Sequence, residues 1–228
     1  YYAHDIDGDN NDGITMSSAT LNKIKNSNFL APVKKEVYQE NKLIEGVVNN
    51  YNEALLLSSV NALFETAYDT AYFIKEYDAY GNILEIQKKN DVVQTYIWGY
   101  NSLYPIGHIT NSKKDRVAFT NFEDANISLS TCSEKDWQSA SVVFNGVQSY
   151  TGKVACKLKS SNPFYTKNTI PAGKYRLRVW TKSSNGAVNT ASVFVGNQNI
   201  GTIVAQTQWS LQDITLTVNS PSVIKLLS

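Results

Sequence analysis

The sequence has 228 residues, of which 42% are hydrophobic, and a formal net charge of +1. Acidic and basic residues are interspersed, which excludes the basic footprint of a nucleic-acid-binding protein. No apolar run approaches the ~20 residues of a membrane-spanning helix, and the length suits one large or two ordinary domains. The chain begins with Tyr rather than Met, so we expect a processed or truncated polypeptide.

Near the start of the chain, Asp5, Asp7 and Asp9 alternate with other residues. This spacing resembles the beginning of a calcium loop of the EF-hand, dockerin or thrombospondin-repeat kind, in which carboxylate oxygens on a tight turn bind Ca²⁺. The position of the EF-hand Glu is occupied by Met16, and the position of its Gly by Asn10. Because Asp, Asn and Gly also form ordinary turns, the segment is either a calcium site or a solvated acidic loop.

Residues 17–64 predict one short helix followed by strands. Leu21 and Ile24 have helical spacing, and the segment ends at Pro32, which predicts a single helical turn. Residues 33–39 and 43–51 predict two strands joined by a polar turn. The apolar residues between 54 and 64 suit a strand or a short helix, and we favour a strand because the flanking segments are β.

Residues 72–105 are the most regular part of the chain. Residues 73–77 and 83–87 alternate with a period of two, and residues 92–98 are rich in β-branched and aromatic side chains. Polar turns at 78–82 and 88–91 separate these runs. The pattern predicts an antiparallel meander.

Within this stretch, Tyr77-Asp78-x-x-Gly81-Asn82 is followed by a strand, a turn and the segment Tyr96–Tyr100, which reads YIWGY. The order resembles the YD repeat of bacterial RHS proteins. In that family the Tyr-Asp and Gly-Asn pairs fix a hairpin, and consecutive hairpins build a β-sheet shell that is surface-exposed or secreted. The resemblance implies that residues 1–112 are an RHS/YD-repeat-like segment of an extracellular or cell-surface bacterial protein. Because a single copy cannot build a shell, it also implies a longer polypeptide as partner.

A polar break at residues 110–115 precedes a change in composition. Beyond it, short strands recur at intervals of roughly 8–12 residues, which is typical of an all-β sandwich such as a jelly roll. The predicted strands are 118–122, 141–144, 155–158, 174–181, 191–195, 200–204, 209–218 and 223–227.

Three segments of this second half, residues 121–123, 149–155 and 171–177, occur in the order seen in galactose-binding-like jelly rolls of carbohydrate-binding modules, which the half resembles. The resemblance implies that residues 113–228 are such a β-sandwich. It further implies a structural calcium ion bound by Glu123 and by the loop that contains Thr151. No acid follows Asp213, so either the ligand that the family takes from a last strand is missing or the terminal strand itself is absent.

The two cysteines, Cys132 and Cys156, are not spaced for a metal clip and have no nearby His. They form either one disulfide, which stabilises by ~3 kcal/mol for a loop of this length, or two buried thiols. A disulfide would suit an exported protein.

Strand 174–181 carries the most specific candidate for a ligand site. Its two faces consist of Tyr175, Leu177 and Val179 on one side and of Arg176, Arg178 and Trp180 on the other. The first face is typical of a core. The second face is either a carbohydrate-binding platform or a packed surface. In the latter case Trp180 packs against the other domain and the aliphatic stems of the two arginines cover it.

Two further aromatic residues, Trp137 and Tyr165, fall in predicted loops. They are either additional ligand contacts or residues at the edge of the core. Trp209 precedes a strand and is interpreted as structural.

Catalytic motifs are absent from the sequence. His4 and His108 are the only histidines, we expect His108 to be packed within a strand, and no nucleophile elbow, phosphate loop or His-Glu-x-x-His motif occurs. The sequence therefore predicts a non-catalytic surface or secreted module that binds carbohydrate through its β-sandwich. The alternative is a structural or adhesion segment of a larger YD-repeat protein without a small-molecule ligand.

Overall fold

The protein is all-β, and its strands pair antiparallel. The structure is a computed structural model that describes residues 1–7, 12–123, 132–133, 136–139, 143–144, 149–158, 160 and 163–228, with only the backbone for residues 132, 133, 139, 143 and 144. The chain divides into two compact units, Tyr1–Trp98 with Tyr104–Lys114 and Gly99–Leu103 with Asp115–Ser228. The assignment of residues 1–112 and 113–228 to the two families named above stays a prediction.

Up to Thr110 the described chain forms one α-helix and a seven-stranded sheet in which each strand pairs with the next. The elements are α1 (Ser18–Asn26), β1 (Lys34–Gln39), β2 (Lys42–Tyr51), β3 (Leu57–Phe64), β4 (Ala67–Tyr77), β5 (Ile83–Lys88), β6 (Val93–Gly99) and β7 (Tyr104–Thr110). The predicted meander is confirmed.

The helix is longer than the single turn that the sequence predicted. α1 has nine residues, and it is capped by the preceding Ser17, whose Oγ accepts a hydrogen bond from the Thr20 N–H at 3.1 Å. Ile24 is fully buried in a small core that includes Val33 and Tyr51. The prediction was wrong because a capping serine and tertiary burial outweigh the weak helical propensity of the segment.

The turn between β4 and β5 is held by Asp78. Its N–H donates to the Asn82 carbonyl at 2.9 Å, and its Oδ1 accepts from the N–H groups of Tyr80 and Asn82, each at 2.9 Å. Gly81 has φ +84°, a conformation that glycine adopts without steric cost. The residues Asp78, Gly81 and Asn82 therefore each have a local role in closing this hairpin.

A buried charged cluster joins β1 and β4. Lys34 Nζ lies 2.9 Å from Glu36 Oε1, and the two side chains are 3% and 6% exposed. The Tyr68 hydroxyl donates to the same oxygen at 2.7 Å. Burial acts to raise the pKa of Glu36, but hydrogen bonds from Lys34, Tyr68 and Tyr38 outweigh it and lower this pKa. Burial, followed by the bond to Glu36, raises the pKa of Tyr68.

The second unit contains ten further strands among its described residues. They are β8 (Cys132–Ser133), β9 (Trp137–Ser139), β10 (Val143–Phe144), β11 (Cys156–Lys157), β12 (Phe164–Thr166), β13 (Gly173–Thr181), β14 (Asn189–Val195), β15 (Gln198–Ala205), β16 (Ser210–Val218) and β17 (Ile224–Leu227). Six form a sheet in the order β15-β14-β17-β12-β9-β8, while β13 pairs with β16 and β10 with β11.

These sheets enclose one hydrophobic core in a sandwich-like arrangement. The six-stranded sheet contributes Trp137, Phe164 and Val193, and the β13–β16 pair contributes Leu216. Alternate residues on both sides face inward, as expected for packed sheets.

Two predictions about the second unit were wrong. Residues 118–122 form no strand, because the side chains of Thr120 and Asn121 accept the backbone N–H groups of Phe122 and Glu123, each at 3.1 Å, and so compete with a ladder. Trp137 and Tyr165 lie in strands β9 and β12 rather than in loops. Both strands have three residues, which is too short for a period of two to be recognised.

The cysteines lie in different sheets, Cys132 in β8 and Cys156 in β11. The side chain of Cys132 is outside the described part of the structure. The disulfide and the pair of thiols therefore both stay predictions.

Candidate functional site

The outward face of the β13–β16 pair carries the strongest candidate site. The predicted alternation is confirmed, because Tyr175, Leu177 and Val179 pack against the core while Arg176, Arg178 and Trp180 are exposed. The register places Trp180 opposite Leu211 and Arg178 opposite Asp213. We call the exposed set the Trp180 surface; its members are Tyr150, Arg176, Arg178, Trp180, Leu211 and Asp213.

Three aromatic rings meet at one end of this surface. Trp180 and Tyr150 are stacked, with ring centroids 3.9 Å apart and an interplanar angle of 21°, and they remain 42% and 46% exposed. Trp209, just before β16, is tilted against Tyr150 at 6.0 Å. The stack limits the freedom of two large side chains while leaving apolar ring surface in contact with water, as an aromatic binding platform requires.

The loop that carries Tyr150 is held in place by Glu123. Its Oε1 accepts the backbone N–H groups of Lys153 at 2.7 Å and Val154 at 3.1 Å. Gly152 has φ +72°, and a Cβ added there would lie 2.3 Å from Glu123 Oε1. Glycine therefore suits residue 152 both because it adopts this φ without steric cost and because it leaves room for the carboxylate.

Asp213 organises the two arginines of the surface. Arg176 Nε donates to Oδ1 at 2.7 Å and its terminal amino group to Oδ2 at 2.6 Å, a bidentate pair. Arg178 Nε lies 3.4 Å from the same Oδ2. The hydrogen bond to Arg176 lowers the pKa of Asp213, and the same bond raises the pKa of Arg176.

Consequently the two guanidinium groups differ in what they can offer to a ligand. Asp213 accepts two of the five N–H donors of Arg176, those on the edge formed by Nε and one terminal amino group. The side chain of Arg178 is 58% exposed, and in the described part of the chain its terminal amino groups form no hydrogen bond. Arg178 therefore has both terminal amino groups available to a bound molecule, whereas one terminal amino group of Arg176 is already bonded to Asp213.

The predicted metal ligands lie in two separate places. Glu123 and the exposed Thr151 belong to the same loop contact, where backbone N–H donors meet the carboxylate. Asp5 Oδ2 accepts the Tyr2 N–H at 2.8 Å, Asp7 is exposed, and Asp9 is outside the described residues. No group of three His, Cys, Asp or Glu suited to a metal occurs among the residues that the structure describes. Calcium at either place stays a prediction.

The two additional aromatic candidates are separated from Trp180. Trp137 is 6% exposed and stacks on Phe164 in the core, with centroids 5.1 Å apart. Phe164 and Thr166 are buried while Tyr165 between them is half-buried, so Tyr165 lies on the outer face of the six-stranded sheet. A site at Trp180 therefore includes neither of them.

The histidines are also far from the Trp180 surface in sequence, and both are exposed. His108 lies in β7, stacks on Tyr96 at 4.9 Å and places its Nε2 3.2 Å from Gln94 Oε1. The prediction that the chain is not an enzyme stays a prediction.

Sequence reasoning missed Tyr150, Leu211 and Asp213 as members of the surface. The signal for Asp213 was present, because two runs with a period of two at 174–181 and 210–218 can pair in a register that sets Asp213 opposite Arg178. Tyr150 gave no such signal, since its position depends on a loop contact with a residue 27 positions earlier in the chain, Glu123.

Comparisons of the chain with protein-family models, with curated proteins and with solved structures found no match. The likeness to RHS and galactose-binding-like proteins therefore stays a prediction. No helix in the described ranges has the length and apolar character needed to cross a membrane. Function has to be inferred from the geometry of the Trp180 surface.

Proposed function

We propose that the second unit is a non-catalytic carbohydrate-binding module of a bacterial surface or secreted protein, and that it binds sugar on the Trp180 surface. The observation that carries the proposal is an indole that is 42% exposed beside a guanidinium group with unused donors. A pyranose has an apolar face that stacks on an aromatic ring and a rim of hydroxyls that accept hydrogen bonds. The Trp180 surface offers an aromatic ring for the apolar face and hydrogen-bond donors for the hydroxyls, both on one rigid strand pair.

Each residue of the surface has a distinct part in this proposal. The exposed ring surface of Trp180 supports the sugar ring, and Leu211, opposite it in the register, extends the apolar area. Arg178 donates to the sugar oxygens. Tyr150 and the Arg176–Asp213 pair hold the indole and the second guanidinium in place, which reduces the entropy lost on binding.

The experiment is a binding measurement of the purified chain against a broad glycan panel, followed by titration calorimetry with the strongest hit. Trp180→Ala should weaken binding by about 2 kcal/mol or more, roughly thirty-fold in Kd, as expected for a central aromatic contact. Tyr165→Ala is the matched control, because this tyrosine lies on the outer face of the other sheet, and it should leave Kd unchanged.

Circular dichroism establishes that each variant is folded. If the folded chain binds no glycan, the carbohydrate proposal is wrong and the structural or adhesion alternative replaces it. If Tyr165→Ala abolishes binding while Trp180→Ala does not, the sugar site lies elsewhere on the sandwich. Parallel titrations with EDTA and with added Ca²⁺ test whether calcium contributes.

A further inference from the structure

The exposed face of the β13–β16 pair has an excess of positive charge. The side chains of Lys174, Arg176 and Arg178 alternate along this face of β13. Opposite them on β16 lie Thr217, Thr215 and Asp213, so three cations face a single carboxylate. The local charge is +2, although the net charge of the whole chain is only +1.

The single carboxylate does not neutralise this face evenly. Both oxygens of Asp213 are bonded to Arg176, and the contact of Arg178 with Asp213 is a single longer one at 3.4 Å. Arg178 therefore retains charge and donors that Asp213 does not satisfy. A guanidinium in this state is matched by an anion that presents two adjacent acceptor oxygens, which it can bind through two parallel hydrogen bonds.

The position of Arg178 sets where that anion must lie on a bound sugar. Arg178 and Trp180 are two residues apart on one strand, which corresponds to roughly 6.6 Å. A sugar ring on the indole can place an exocyclic anionic group over Arg178 across that distance. A neutral sugar would leave this guanidinium with only its longer contact to Asp213 as a charged partner.

We infer that the Trp180 surface selects acidic glycans, whose carboxylate or sulfate group is bound by Arg178 while the sugar ring stacks on Trp180. This inference rests on the proposed carbohydrate-binding function and adds the class of substrate. The shared chemistry of the ligand is an anionic substituent on a pyranose, and carboxylated and sulfated sugars are its two sources.

The test compares three probes in titration calorimetry: oligogalacturonate, its fully methyl-esterified neutral form, and a sulfated galactan oligosaccharide. We expect at least one anionic probe to bind about ten-fold or more tighter than the neutral ester, and the preferred anionic probe identifies the source. Arg178→Gln should remove this preference: it should weaken binding of the anionic probe about ten-fold more than binding of the neutral ester, so that the variant binds the two with similar affinity. Lys35→Gln is the matched control, because it removes the same charge from an exposed residue of the first unit.

The outcomes separate the inference from the proposal beneath it. Equal affinity for anionic and neutral probes, lost in both cases on Trp180→Ala, would refute the selection of acidic glycans and support a neutral carbohydrate site. Equal loss of anionic binding in Lys35→Gln and Arg178→Gln would also refute it, because the effect would be one of overall charge. Absence of binding to every probe and to the whole glycan panel would refute both.

Discussion

The contact between Glu123 and the loop of Tyr150 leads to a sharp prediction. Glu123→Ala removes the acceptor of two backbone N–H groups, those of Lys153 and Val154. A hydrogen bond to a charged group contributes ~1.5–3 kcal/mol. Lys153 is exposed and Val154 is buried, so the hydrogen bond to the Val154 N–H should account for most of the loss. We expect the free energy of unfolding to fall by ~2 kcal/mol. Tyr150 should lose its fixed place against Trp180, so glycan binding should weaken as well.

Urea unfolding measures the stability change, and near-ultraviolet circular dichroism follows the Tyr150–Trp180 stack. Glu123→Gln is the matched control: it keeps the size and one oxygen acceptor, so it should fall between wild type and Glu123→Ala. Unchanged stability together with an unchanged aromatic spectrum in Glu123→Ala would refute the reasoning. A loss of wild-type stability in EDTA that Ca²⁺ restores would show that a metal adds to these hydrogen bonds.

Three further predictions concern the first unit. Lys34→Met leaves the buried carboxylate of Glu36 without its cation and should cost about 3–5 kcal/mol of unfolding free energy; a loss below 1 kcal/mol in urea unfolding would contradict this role. Because the folded-state pKa of Glu36 is lowered from its ordinary value of 4.5, the carboxylate contributes its full stabilisation above about pH 4.5. This stabilisation is lost as the pH falls through the lower folded-state pKa. In Glu36→Gln the free energy of unfolding should therefore fall less steeply as the pH decreases through this range. An unchanged pH dependence of stability would contradict the prediction. Asp78→Ala removes the acceptor of the Tyr80 and Asn82 N–H groups and should cost ~1–2 kcal/mol, whereas exposed Asp91→Ala in the next turn should cost less; equal losses would refute a special role for Asp78.

The first sheet could be predicted because its information is local. Each strand pairs with the next one, and the turns carry residues such as Asp78, Gly81 and Asn90 that suit their backbone conformations. The alternation of β13 was equally visible, because its exposed face contrasts two arginines and a tryptophan with an apolar face. Local pattern was therefore sufficient for the fold class and for the centre of the candidate site.

What could not be predicted depends on contacts between distant residues. β9 and β12 are short, and Tyr165 pairs with Lys225 and Gln138, so no local pattern marks them as strands. The placement of Tyr150 against Trp180 requires the loop geometry set by Glu123. The bidentate pair of Arg176 and Asp213 requires the register of β13 and β16, which periodicity alone does not determine.

The most direct test of the carbohydrate site uses the indole N–H signals of the protein in a ¹⁵N correlation spectrum. The chain has four tryptophans, and Trp180→Phe assigns the signal of interest. On titration with a bound glycan, the Trp180 signal should shift progressively while the signal of Trp137, buried in the core, stays in place. A glycan that binds with measurable affinity and leaves the Trp180 signal unmoved would contradict the proposed site.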